Sequence, residues 1–467
     1  MKYLSTGIWI PGVLAFAGVV ALVLWASTGP MVGHLEARVP GLDRPKAIED
    51  DAPAKPLVGV LTTFDGQPSD LPGAWPRFRG ERFDNIAIPS VPLARQWPAG
   101  GLNKLWSIDV GEGYAGAAVS AGRAFVLDYD RAASSDALRC FSLADGKEIW
   151  RFSYPVVVKR NHGMSRTVPA VTDKYVVAFG PKCHVSCVDP ATGKAYWLID
   201  LVRQFGAKVP EWYAGQCPLV EGDRAILAPG GESLLVALDC KTGDVVWKSP
   251  NPQGWTMTHS SIMPMEFAGK RMYVYCGKGG VAGVSADDGA ILWDTTEWKI
   301  AIATAPSPVI LPEGRIFLSG GYESGAMMLQ LREDGGKITV KKEFRLKPSA
   351  FGSEQQTPIW FDGHLYGVRK SDRQLICLDP RGKIVWSSGS QHRFGSGPYL
   401  IADGLIYVLD DFGKLTLAVA SPKGYEPLST TQAIADSHDS WGPMALVGGR
   451  LILRDLTRMI CLNVAEK

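Results

Sequence analysis

The sequence predicts an all-β fold, an eight-bladed β-propeller of four-stranded blades, on three observations. The first is a recurring phrase. An apolar pair, an Asp, a Gly-containing turn and a Trp on the next apolar strand read CVDPATGKAYW to Trp197, ALDCKTGDVVW to Trp247, VSADDGAILW to Trp293 and CLDPRGKIVW to Trp386. A looser copy, CFSLADGKEIW, ends at Trp150. Adding Trp106 and weaker strands near Phe344 and Leu428 gives eight outer-strand positions, spaced 42 to 51 residues apart. Strand-built units of that period hide their faces only against one another, as propeller blades do.

The second observation is an independent count. Eight apolar hairpins run in step with the tryptophans, from AAVSAGRAFVL at 117–127 to PMALVGGRLIL at 443–453. The third concerns the ends of the ring. The last unit, Met444–Val464, has no fourth strand, whereas LNKLWSID around Trp106 is a fourth strand with no blade of its own. Pairing the two closes the ring by an N-terminal strand and removes both open sheet edges.

Local chemistry explains the repeated phrase. Asp189 and Asp239 can accept backbone hydrogen bonds in Asx-turns, and Gly193 and Gly243 can supply positive φ. The Trp that follows has a large apolar face to bury between blades. These residues build the scaffold. On this signature, over about 102–464, the chain resembles the PQQ-like (pyrroloquinoline-quinone-like) propeller repeats. Two groups of relatives frame the function: the eight-bladed quinoprotein alcohol dehydrogenases and the non-catalytic propeller of the outer-membrane assembly machinery. The second is the nearer likeness. The lead-in AWPRFRGERFDNIA at 74–87 is also similar to that of PQQ-like bacterial proteins.

Ahead of the repeats, residues 1–26 are expected to form a transmembrane or signal-anchor helix. The run Ile8–Ala26 has no charge and would span about 28 Å as a helix. Lys2 and the terminal amine favour a cytoplasmic N-terminus. That places the protein at the cell membrane, single-pass, with the propeller on the periplasmic side. A cleaved signal peptide is the competing reading, although no small-x-small motif ends the run. Residues 27–101 are rich in Pro and mixed charge and are expected to be a tether, with Trp75–Gly80 strapped to the propeller surface. Residues 102–467 are the propeller.

Composition excludes some functions. A net charge of +2 and a pI near 8.0 provide no basic patch, so nucleic acid is not expected as a partner. Eight cysteines lack any CxxC, CxxCH or zinc spacing, and four of them, Cys140, Cys187, Cys377 and Cys461, share one repeat register. They are expected as small buried residues, and no metal site is expected.

The resemblance implies that the first strand of each hairpin is innermost, so the loops leading into it rim one mouth of the channel. Seven of those strands begin at Pro. Upstream of four prolines stands a histidine: His162, His259, His392 and His438. With Arg166, Gln216, Glu354, Gln356 and Trp441 they are the candidate ligand-binding residues of a polar, aromatic funnel. The neighbouring Trp212, Tyr213, Trp255, Gln355 and Arg393 belong to the same loops.

The quinoprotein family is known for a vicinal Cys–Cys disulfide over the quinone and a calcium ion held by Glu, Asn and Asp. No two cysteines are adjacent here, and acidic residues are sparse in the rim loops. The expectation is therefore a non-enzymatic, membrane-anchored scaffold binding a protein partner of the cell envelope or a small polar ligand, with no catalytic residues and no firm cofactor. A PQQ-dependent or related quinoprotein oxidoreductase is the second reading.

Overall fold

The computed structural model describes residues 6–27 and 57–466, with side chains from 12 to 25 in the first stretch. The two stretches fall in separate compact units, Met1–Pro56 and Leu57–Lys467. In the first unit a helix runs Thr6–Ser27, and its apolar side chains such as Leu14, Phe16 and Leu22 are exposed. Over 12–25 that helix covers about 21 Å. Among the described residues, no helix is long and apolar enough to cross a membrane. The described side chains of that helix, 12–25, fall short of the run of about 20 apolar residues that a bilayer core needs, so the transmembrane helix expected at 1–26 is not found among the described residues. Of the expected tether, residues 28–56 lie outside the described residues.

The second unit is the propeller. Eight antiparallel sheets follow one another, each with four strands running from the axis outward. Blade 2 is typical, with strands Ala170–Val171, Val176–Phe179, His184–Val188 and Ala195–Asp200. The innermost strands of neighbouring blades touch, and that of blade 8 (Ala445–Val447) touches that of blade 1 (Ala118–Ser120). The ring closes through Asn103–Asp109, which pairs antiparallel with Arg458–Asn463 and supplies the missing outer strand of blade 8.

Packing between blades shows what the repeated phrase does. In five blades the Trp reaches over the turn of the next blade, whereas Trp293 bonds Met272 within its own blade. Indole N–H groups donate to backbone carbonyls: Trp106 to Leu143 at 3.0 Å, Trp197 to Cys240 at 2.9 Å, Trp247 to Ala286 at 3.2 Å and Trp386 to Ser421 at 2.8 Å. The turn glycine lies under the ring. A Cβ on Gly193 would come within 2.6 Å of Trp150, and Gly193 also has φ +73°. Both the backbone conformation and the approaching ring therefore demand glycine. Opposite the tryptophans sit the register cysteines, Cys140 facing Trp150, Cys187 facing Trp197, Cys377 facing Trp386 and Cys461 facing Trp106. All eight cysteines are free and buried.

Residues 57–101 form a strap across the mouth opposite the predicted funnel. Val60–Thr63 adds a fifth strand to the outer edge of blade 1. Trp75 then pairs with Val119 on the inner strand of blade 1, and the Pro76 carbonyl accepts from Val171 of blade 2. Across the axis, Arg79 donates to Thr357 and Pro358 of blade 6. Ile86–Ala87 pairs parallel with Tyr399–Ala402 of blade 7, and Leu93 bridges Ala465 beside blade 8. The strap thus ties together blades that are far apart around the ring.

Candidate functional site

The loops leading into the inner strands surround a cavity of about 290 Å³ at the other mouth. Its wall contains His162 and Arg166 from blade 2, Trp212 from blade 3, His259 from blade 4, Glu354, Gln355 and Gln356 from blade 6, and Trp441 from blade 8. The depth has its own hydrogen-bond ring. Val168 N donates to Cys217 Sγ, Cys217 N to Ser261 Oγ, Ser261 N to Ser307 Oγ, and Ser307 N to Thr357 Oγ1, at 2.9–3.2 Å. Each acceptor belongs to the next blade, so the loops interlock around the axis. Phe78 of the strap reaches the cavity from the far side. The funnel is therefore a cup with a floor.

Three of the sequence-predicted residues lie elsewhere. Gln216 is fully buried, and its amide exchanges two hydrogen bonds with the backbone of Ala228 at 2.7 and 2.9 Å, which makes it a structural clamp. His392 does not line the cavity. Its ring lies 5.1 Å from that of Tyr425 at the base of the loop between blades 6 and 7. His438 is largely exposed beside Asp439 and also stays out of the lining.

Sequence reasoning missed Tyr114, Tyr322 and Phe78. Tyr114 packs on Trp441 at 5.1 Å between ring centroids, and the Arg166 guanidinium lies 5.2 Å over the Tyr114 ring. Tyr322 comes from the hairpin tip after Gly320–Gly321, not from a loop leading into an inner strand. There it adopts φ +52° and stacks parallel to Trp212, 6.4 Å between centroids. The string GGYESG, an aromatic residue inside a glycine-rich tip, was the available signal.

Electrostatics single out Arg166 and His259. Burial lowers the Arg166 pKa to about 10, and the groups that act against that fall are phenols, Tyr114, Tyr213 and Tyr322, with no carboxylate among them. One guanidinium N–H donates to the Asn161 carbonyl at 3.1 Å, while Nε is buried without a partner. Burial, and next the Arg166 charge, drive the His259 pKa down to about 4, so its imidazole is neutral at pH 7. Backbone groups of Glu211 and Tyr213 act on His259 in the opposite direction, and burial raises the Tyr114 pKa. The one lining carboxylate, Glu354, is held by Lys370.

A closed eight-bladed ring with inter-blade tryptophan caps and a cup at the axis defines the PQQ-like propeller class. Residues 134–381 match the model of the family described as outer membrane protein assembly factor BamB, and the chain belongs to that family. The fold is similar to BamB from Moraxella catarrhalis, with 14% identity, a TM-score of 0.54, and 78% of this chain and 99% of that one covered. It is also similar to the computationally designed Ika8 protein, with 12% identity, a TM-score of 0.50, and coverage of 78% and 100%. A europium-containing methanol dehydrogenase aligns at 11% identity and a TM-score of 0.46, over 82% of this chain and 89% of that one. No curated protein sequence matches.

The cup's residues do not fit a quinone held over a calcium ion. Glu354 is already engaged by Lys370, Cys217 stands alone in the wall, and among the described residues no group of three or more His, Cys, Asp or Glu is placed to hold a metal.

Proposed function

We propose that the protein is an extracytoplasmic binding or assembly scaffold, anchored at the membrane by its N-terminal segment, whose funnel receives a partner segment or a small polar ligand of the cell envelope. The observation that carries this reading is the cup itself: an aromatic-walled cavity with a floor, lined by His259 and Tyr114 and by an Arg166 whose Nε has no partner within the chain. Buried polar groups in folded proteins are nearly always paired, so an unpaired guanidinium Nε at a cavity marks where something else supplies the bond. Family membership supports a scaffold role, and the absence of charge between Lys2 and Glu36 supports the anchor.

A photo-reactive amino acid at Tyr322, compared with one at Val246 on an exposed outer strand, tests the site in intact cells. One recurrent adduct at Tyr322, absent at Val246, is expected. Adducts confined to Val246, or identical at both, would move the working surface away from the funnel. Membrane fractionation of the full chain against a chain lacking residues 1–26 tests the anchor, with release into the soluble fraction expected only for the shorter chain.

A further inference from the structure

Three guanidinium groups are drawn away from water around this channel, Arg79 and Arg454 buried and Arg166 half-buried at the cup, and they are not treated alike. Arg79 donates to four backbone carbonyls, those of Phe83, Thr357, Asp84 and Pro358, at 2.8–3.2 Å. Arg454 also donates to four, those of Asp455, Ala115, Gly111 and Leu456, at 3.0–3.2 Å. Both are structural cross-links with their donors used. Arg166 donates to one carbonyl, its Nε has no partner, and its side chain lines the cup. A buried cation without a counter-ion is costly, and a guanidinium edge with free donors matches a carboxylate in geometry as well as charge.

We infer that the funnel is a carboxylate-binding site, in which the Arg166 guanidinium, with a single carbonyl partner, takes the anion and the stacked Trp212–Tyr322 wall receives the apolar or aromatic body attached to it. This rests on the reading of the funnel as a binding site and adds the chemistry of what it binds. Tyr114 and His259 line the same cup and offer further polar contacts. The single lining carboxylate is already neutralised by Lys370, so it does not compete for Arg166. At about 290 Å³ the cup is near the lower limit for small-ligand pockets, enough for one aromatic acid or one terminal residue of a peptide. A free organic acid and the C-terminal carboxylate of a polypeptide share this chemistry.

Calorimetric titration of the full chain with 3-phenylpropionate, 3-phenylpropionamide, and the peptide Gly-Gly-Phe with a free or an amidated C-terminus separates these sources. Binding of the acids and not the amides is expected. Arg166→Gln should weaken it by about 10- to 100-fold, the worth of a charge-assisted hydrogen-bond pair, with Arg166→Lys intermediate. Binding of the free acid alone assigns a small metabolite, and of the peptide acid alone a polypeptide terminus. Amides that bind as well as acids, or acids that do not bind, would overturn the carboxylate assignment. Should Arg166→Gln not fold, the acid-against-amide pair on the unaltered protein decides. A partner crosslinked at Tyr322 without acid-selective binding would remove the carboxylate and leave the site; no crosslink and no binding would remove both.

Discussion

Arg79 and Arg166 point toward the same channel from opposite mouths, and their surroundings differ completely. Burial lowers both to about 10. Arg79 arrives on the strap and is wrapped by backbone carbonyls from two segments of the chain. Arg166 stands in a wall of aromatic rings with a free donor. Satisfied donors tie a fold together, and unsatisfied ones around a cavity leave it able to bind. The strap mouth is therefore architecture, and the funnel mouth is the face proposed to bind.

The largest effect expected on the architectural side is loss of the fold itself. Deleting 102–109 removes the only strand that closes blade 8 and leaves the edge of Arg458–Asn463 unpaired. Soluble expression should fail. A monodisperse, cooperatively unfolding product would show that the ring does not depend on closure.

Next in size are single side chains. Arg79→Ala leaves four carbonyls without their donor and should cost about 3–5 kcal/mol, as breaking other buried charge networks does. Trp197→Ala should cost about 3–5 kcal/mol, as for other buried aromatics. Denaturant titration measures both. Binding at the funnel should survive either change wherever the protein remains folded. Loss of ligand from a stable Trp197→Ala protein would place that tryptophan in the site instead.

A smaller effect separates scaffold from site by pH. Asp136, buried against the Tyr154 hydroxyl in blade 1, is raised by burial to about 7 from 3.8. Its folded form holds a proton that the unfolded chain releases, so its contribution to stability falls as pH rises between about 4 and 7. His259 is lowered to about 4 from 6.5, so the unfolded chain takes up protons first and stability is lost as pH falls from about 6.5 to 4. The two slopes oppose each other. His259→Gln should expose a stability that declines across this window, and Asp136→Asn should expose one that rises. Unchanged profiles in both variants would contradict the two assignments.

Much of the architecture was legible because it repeats. The Asp shapes its own turn, and the turn glycine and the Trp are required by the contact one blade makes with the next, so the same constraint is written again in most units. Closure could be read from one missing and one surplus strand. The funnel was partly legible, since the loops before Pro169, Pro264, Pro358 and Pro443 do form its wall. Register gives the loop and not the direction of a side chain. His259 and His438 both stand five residues before a proline. His259 faces the cup, whereas in the last blade Trp441 takes that place, fixed by its indole N–H on Asp411 at 2.8 Å. The strap's route was not legible because it occurs once and rests on long-range contacts, such as Arg79 with Thr357 and Pro358.

The contrast between the two mouths comes down to one paired measurement, the denaturant unfolding free energies of Arg79→Gln and Arg166→Gln against the unaltered protein. Arg79→Gln is expected to lose several kcal/mol, and Arg166→Gln to stay within about 1 kcal/mol or to gain, since it removes a buried charge that lacks a counter-ion. Equal, large destabilisation by both would contradict the assignment and make Arg166 one more structural cross-link.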